Sequence, residues 1–275
     1  MTAEAIAAGW LARLERYDVV GSTNDVVMGW LRDGTPEVCV AVADAQSAGR
    51  GRSGRSWTAP RGASLLLSAG FRPTWLAPEH TWRLGAIVSL AMAAAAEEVV
   101  AVPAGTVRLK WPNDLVIDDA DAGPRKLAGV LGETDGLGSP SPKAVIGIGV
   151  NVDWARGDFP GDLAPTMTSL SELANGRPTG RATLADAFLA RLEPLVERLR
   201  AGGFDGGAWT ERQLTNDRPI RLEWPDGSVE HVAAVSVDSD TGALFTRALD
   251  GSGPVRPILV GEIRHLRVAG ATRGV

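Results

Sequence analysis

Two patterns divide this chain near Asn216, and that division limits its fold more than any single motif. Before it, helical faces alternate with short apolar runs; beyond it no helical period is visible. In the second part, residues 220–224, 229–237, 243–249 and 255–259 are strand-like. Pro225-Asp226-Gly227 and the stretches 238–242 and 250–253 separate them. Asp and Gly tolerate the positive φ angles of tight hairpins, so residues 215–275 are expected to form a small β-barrel.

In the first part, Leu184, Phe188, Leu192, Leu195 and Leu199 step by four, four, three and four, the signature of one buried helical face. Pro194 within it lacks a backbone donor and is expected to kink the helix. A second helix is read over 81–100, where Trp82, Ala86, Leu90 and Ala93 fall near helical spacing. Residues 38–43, 64–71, 107–111, 127–133 and 144–152 are short apolar runs bounded by Gly, Pro or charge, as strands are. The fold class is therefore α+β. Residues 1–214 would form a mixed sheet with packed helices, followed by the barrel.

Composition excludes several functions. Cys39 is the only cysteine, which removes disulfide frameworks and thiolate metal clusters; His80, His231 and His265 are scattered, so no resident metal site is expected. A net charge of −5 argues against a nucleic-acid binder. The longest weakly polar run, 86–96, falls short of the ~20 residues a membrane span needs. No basic residue precedes Arg13, unlike a secretory signal, so a cytoplasmic protein without a membrane partner is expected.

The densest feature is Gly49-Arg50-Gly51-Arg52-Ser53-Gly54-Arg55-Ser56-Trp57, with three glycines and three arginines within seven residues. Glycines let backbone N–H groups converge on an anion, and guanidinium groups add forked donors. The letters also fit a dinucleotide fingerprint and a P-loop with Arg in place of Lys. Both motifs must open a helix, whereas Pro60, Gly62 and the strand-like Leu65-Leu66-Leu67 follow here. A solvated surface loop is the plain alternative.

Other segments shift that balance. Lys110-Trp111-Pro112-Asn113-Asp114 puts a cation, an amide and a carboxylate at a strand end, and Lys126 stands at the entrance to the strand read over 127–133. Alone, each lysine reads as a surface group and Asp114 as a strand end or helix cap. Together they suggest a site for a carboxylate and a triphosphate. Between Asp114 and Lys126, residues 117–125 are longer and more acidic than a compact hairpin needs.

With Gly21-Ser22-Thr23-Asn24, the Gln46–Trp57 loop, Lys110–Asp114, Lys126–Gly129 and Gly147-Ile148-Gly149-Val150-Asn151-Val152 in order, the chain resembles the biotin–protein ligases over about residues 20–270. The resemblance implies a class II aminoacyl-tRNA synthetase-like core and an SH3-like C-terminal barrel. It implies that Ser22, Thr23, Asn24, Gln46, Gly49, Arg50, Gly51, Arg52 and Lys126 hold biotin. Arg55, Trp57, Lys110, Asn113 and Asn151 would hold ATP or the adenylate, and Lys126, Arg52 and Asp114 would serve catalysis. ATP and biotin would be substrates, Mg²⁺ would arrive with the nucleotide, and the partner would be a biotin carboxyl carrier protein or domain of an acyl-CoA carboxylase. Some members of the family carry an amino-terminal helix-turn-helix repressor domain. The residues before Gly21 are too few for one, so no operator binding is expected.

The implied reaction is attack of the biotin carboxylate on the α-phosphorus of ATP, followed by transfer to a lysine. The Gly-rich loop is expected to fold over the water-sensitive adenylate once biotin binds. Two rival readings stay open. One is a lipoate or octanoate ligase or transferase of related fold, which needs a long apolar tunnel. The other is a nonenzymatic module in which the barrel and Arg50, Arg52, Arg55 and Arg61 grip nucleic acid.

Overall fold

The computed structural model describes residues 9–120, 122–224, 226–259 and 262–265. Expectations that touch residues 1–8, Asp121, Pro225 or the last ten positions lie outside the described residues. The first sheet holds β1 (Arg13–Val20), β2 (Cys39–Gln46), β3 (Ser64–Phe71), β4 (Val107–Lys110), β5 (Asp114–Asp119), β6 (Gly123–Asp135) and β7 (Lys143–Asn151). Its spatial order is β1-β2-β3-β7-β6-β5-β4. Only β1 and β2 run parallel; every other neighbouring pair is antiparallel, so the sheet is mixed as expected.

Side chains alternate across a strand, and here the alternation separates two tasks. Val40, Val42, Leu65, Leu67, Ile146 and Ile148 join the large core. That core also takes α2 (Trp82–Val100) and α4 (Arg181–Arg200), which pack against each other. On the opposite face α1 (Thr23–Arg32) lays Val27, Met28, Trp30 and Leu31 against Cys39, Ala41 and Val145. Gly70 makes this approach possible, because a Cβ there would meet Val27 at 2.5 Å and the Cys39 sulfur at 2.8 Å. The rest of that face holds the site. Two shorter helices, α3 (Leu170–Leu173) and α5 (Gly206–Glu211), complete the described set.

The second sheet is antiparallel, with β8 (Arg218–Glu223), β9 (Val229–Val237), β10 (Leu244–Ala248), β11 (Arg256–Ile258) and β12 (Glu262–His265) in the order β11-β10-β9-β8-β12. It is described as an open sheet; closure into a barrel is not seen among the described residues. The segment leading to it is sewn onto the edge of the first sheet: Leu109 N–H donates to the Arg212 carbonyl (2.8 Å) and Leu214 N–H to the Leu109 carbonyl (2.7 Å).

Several expectations change. Pro194 lies inside α4, which extends beyond it to Arg200. The acidic stretch is a compact hairpin: β5 and β6 pair in unbroken register from Val116 to Asp119, and Asp119 accepts the Ala122 N–H at 2.9 Å. Lys126 thus lies inside β6, three residues past its start, rather than at a strand entrance. No helix among the described residues is long and apolar enough to cross a membrane.

Candidate active site

A cavity of about 1380 Å³ opens on the α1 face of the first sheet. Its floor is built by register. Gly129 of β6 pairs with Gly149 of β7, and Leu131 pairs with Gly147. Any side chain at these glycines would fill the floor. A Cβ on Gly149 would stand 2.5 Å from the Trp57 indole, and one on Gly147 would overlap the Asn24 amide.

One end of the cavity is a polar cluster. Gln46 Oε1 accepts the Thr23 N–H at 2.7 Å and lies 3.0 Å from the Thr23 hydroxyl. Ser68, fully buried on β3, lies 2.7 Å from the Thr23 hydroxyl and 2.6 Å from Asn24 Oδ1. Asn24 Nδ2 donates to Glu133 at 2.7 Å. The Ser22, Thr23 and Asn24 side chains are buried where α1 begins.

The other end carries charge, and a bulge puts it there. Val116 pairs with Lys126 but Leu115 pairs with Ala128, so Leu127 is an extra residue. Alternation alone would put Lys126 and Gly129 on opposite faces. The extra residue turns Lys126 onto the cavity face while Leu127 stays in the core. There Lys126 Nζ lies 2.6 Å from Asp114 Oδ1 and 5.3 Å from the centre of the Trp57 ring, a cation–π position. Arg52 also lines the cavity with its Nη1 buried and unpartnered. Burial lowers its pKa, opposed by the negative charge of Asp114.

The Gly/Arg loop is a folded hairpin rather than a helix-opening phosphate loop. Trp57 N–H donates to the Gly49 carbonyl (2.9 Å), Gly51 N–H to Arg55 (2.6 Å), and a 3₁₀ turn with positive φ at Ser53 and Gly54 reverses the chain. Trp57 returns from it onto the glycine floor.

Of the residues named from sequence, Ser22, Thr23, Asn24, Gln46, Arg50, Gly51, Arg52, Arg55, Trp57, Lys110, Asn113, Asp114, Lys126 and Asn151 all line this cavity. Gly49 does not; it is buried beneath the Trp57 carbonyl, where a Cβ would overlap. Asn113 spends its Nδ2 on the Val130 carbonyl (2.7 Å). Asn151 donates to the Thr168 carbonyl (3.0 Å) and keeps a buried Oδ1 without a partner. Arg50 turns its guanidinium to Asp25 and Glu133. Sequence reasoning missed Ser68, Glu133 and the apolar wall of Trp154, Phe159, Leu163 and Met167. A serine inside an otherwise apolar strand was the available signal for Ser68. Arg218, Glu223, Trp224 and Gly227 bring the second sheet to the cavity. Among the described residues, no group of three or more His, Cys, Asp or Glu could hold a metal.

Residues 17–151 match the model of the biotin/lipoate A/B protein ligase family. The chain is 33% identical over 264 residues to the biotin–[acetyl-CoA-carboxylase] ligase of Mycobacterium tuberculosis, covering 94% of this chain and 91% of that one. It is 32% identical over 250 residues to the bifunctional ligase/repressor BirA of Escherichia coli, covering 89% and 71% respectively. The solved structure of biotin protein ligase from Aquifex aeolicus in complex with biotin and ATP superposes with a TM-score of 0.73 at 25% identity, covering 93% of this chain and 99% of that one.

Proposed function

The chain belongs to the biotin/lipoate A/B protein ligase family, on its biotin–[acetyl-CoA-carboxylase] ligase branch, and from that premise we propose the course of its reaction. A biotin carboxylate oxygen attacks the α-phosphorus of ATP, pyrophosphate leaves, and biotinyl-5′-AMP remains in the cavity. The acceptor lysine of a biotin carboxyl carrier protein or domain then attacks the acyl carbon, AMP leaves, and the amine gives up its proton.

The observation that carries this reading is a cavity with two unlike ends on one glycine floor. Asn24 lies over Gly147, while Trp57 and Lys126 lie over Gly149 and Gly129. Two residues along a strand separate these ends by roughly 7 Å. The Thr23, Asn24 and Gln46 end suits a ureido ring, which needs donors and acceptors together. The Arg52 and Lys126 end suits a carboxylate that becomes an acyl phosphate. Fixed cations there stabilise charge on the phosphate oxygens without reorganising in the transition state. Asp114, which holds Lys126, is our candidate for positioning the incoming lysine or accepting its proton.

Lys110, Asn113, Asn151, Arg55 and Trp57 would meet the nucleotide. Mg²⁺ carried by ATP would be held largely by the phosphate oxygens, and the buried, unpartnered Asn151 Oδ1 is a hard oxygen ligand that suits it. When bound it would shield the phosphate charge. The second sheet, with residues 215–275, is read as an SH3-like unit behind a 1–214 catalytic unit, in a cytoplasmic enzyme. Net charge of −5 supports ligation without transcriptional repression.

Labelled biotin and ATP, with and without a biotin carboxyl carrier domain, test the reading. Pyrophosphate release dependent on biotin, and label on the carrier lysine, are expected. Release driven equally by lipoate, or no transfer to the carrier, would overturn it.

A further inference from the structure

Arg50 is the one guanidinium of the Gly/Arg loop that the proposed reaction leaves without work, and its contacts lead back to the polar end of the cavity. Its Nη1 and Nη2 form a fork on Asp25 of α1, at 2.8 and 2.7 Å. Its Nε and Nη2 also donate to Glu133 of β6, at 3.1–3.2 Å. The loop is therefore tied to a helix and a strand that are remote from it in sequence.

Glu133 has a second task. The oxygen Oε2 that meets Arg50 also accepts Asn24 Nδ2 at 2.7 Å. Asn24 is buried, its Oδ1 faces Ser68, and its amide fills the space that a Cβ on Gly147 would take. An amide has a donor end and an acceptor end, so a carboxylate on the nitrogen side and a hydroxyl on the oxygen side fix which way it points. The carboxylate thus joins the position of the loop to the orientation of an amide at the cavity base.

We propose that Glu133 is a positioning residue that couples the folded position of the Gly/Arg loop, through Arg50 and Asp25, to the orientation of Asn24 for the ligand. The effect on ligand binding rests on the biotin-ligase reading; the effect on the loop does not. Exposed ion pairs contribute little to global stability, so the latch acts on the loop rather than on the fold.

The test uses the full chain carrying Asp25→Asn, Glu133→Gln or Glu133→Ala. Trypsin cleavage after Arg50, Arg52 and Arg55 is followed by mass spectrometry without biotin, and biotin affinity by calorimetry. All three variants should raise loop cleavage several-fold, while cleavage after Arg177 and Arg200 stays at the wild-type rate. A general loss of fold would raise both. Glu133→Ala should weaken biotin binding at least tenfold, and Glu133→Gln should recover most of that loss, because its amide oxygen still accepts from Asn24. Loop cleavage at the wild-type rate in Asp25→Asn and Glu133→Ala would overturn the latch. Equal biotin affinity in Glu133→Gln and Glu133→Ala would overturn the link to Asn24. If Glu133→Ala fails to fold, Asp25→Asn and Glu133→Gln still decide the loop arm, and a Ser68→Ala variant with weakened biotin binding supports the Asn24 arm while wild-type affinity overturns it. A wild-type chain that binds no biotin would sink the functional reading and leave the cleavage arm intact.

Discussion

Lys126 reaches Asp114, 2.6 Å away, only because Leu127 is an extra residue in β6. Both side chains are partly buried, and Lys126 also faces the Trp57 ring. Lys126→Ala should therefore keep the fold while losing charge stabilisation during adenylate formation. A fall in the rate of pyrophosphate release on the order of 10²–10³ is expected, with a circular dichroism spectrum like the wild type. Release at the wild-type rate from the folded variant would remove Lys126 from the chemistry.

The glycine floor makes a separate prediction. In Gly147→Ala the new methyl would overlap Asn24 Oδ1, so Asn24 must leave its contacts with Ser68 and Glu133. Biotin affinity measured by calorimetry should fall at least about tenfold, as each buried polar group left unpaired costs about 1–3 kcal/mol. Unchanged affinity would show that Asn24 does not set the binding end.

Much of this arrangement was legible in the sequence, and what was not has physical causes. β3 and β9 have the bounds their apolar pattern predicts, because sheet neighbours or turn residues mark both ends. β5 escaped notice: Leu115, Val116 and Ile117 are a short run between aspartates, too brief to read as a strand without its partner β6. β1 is an edge strand rich in charge, and its parallel pairing with β2 leaves no local hairpin signal. α1 follows a Ser-Thr-Asn-Asp start that suits a helix cap, yet it was read only as a binding motif. The cavity residues were found as letters in order. The bulge that aims Lys126 and the Arg50–Glu133–Asn24 chain depend on register between distant strands, which one sequence does not display.

Glu97 makes a stability prediction. It is buried on α2 and accepts the Gly105 and Val107 N–H groups at 2.8 and 2.9 Å, while Arg212 bonds both its oxygens at 2.8 and 2.9 Å. Glu97→Ala strands a largely buried cation and two amides at once. A loss of about 3–5 kcal/mol in chemical denaturation is expected, since breaking one partner of a buried pair leaves the other uncompensated. A loss below about 1 kcal/mol would contradict the inferred burial of this pair.

Acid should act through Glu172. Burial raises its pKa, but hydrogen bonds from Arg125 and Thr168 outweigh this and hold it below the ordinary value of 4.5. A depressed carboxylate contributes stability above its unfolded pKa and loses it as pH falls through the folded value. The wild type should lose stability as pH drops below 4.5, and Glu172→Gln should show a shallower decline over that window. Parallel stability curves from thermal melts across that range would count against this.

The second sheet should matter more to ATP than to biotin. Trp111 N–H donates to the Thr215 hydroxyl and its indole to the Gly242 carbonyl, both at 3.1 Å, so this sheet and its lead-in hold the start of the Trp111–Asp114 turn. Gly242, with φ of +73°, packs against the Trp82 ring, which also meets Phe204 and Trp209. The polar end built on Thr23, Asn24 and Gln46 is held instead by the first sheet: among the described residues its side chains bond one another, Ser68, the Leu131 carbonyl and Glu133. A chain ending at Leu214 would expose Trp82 and Trp111 and lose both anchors of the Trp111 turn. With its fold verified by circular dichroism, and kept soluble against association through the bared aromatic face, it should retain biotin affinity within about fivefold. Pyrophosphate release should fall by about a hundredfold or more, because misplaced groups forfeit the alignment that carries much of the barrier. Full-rate release by such a folded truncation would show that the Trp111 anchors do not serve adenylate formation. Lost biotin affinity would show that the polar end also depends on the second sheet.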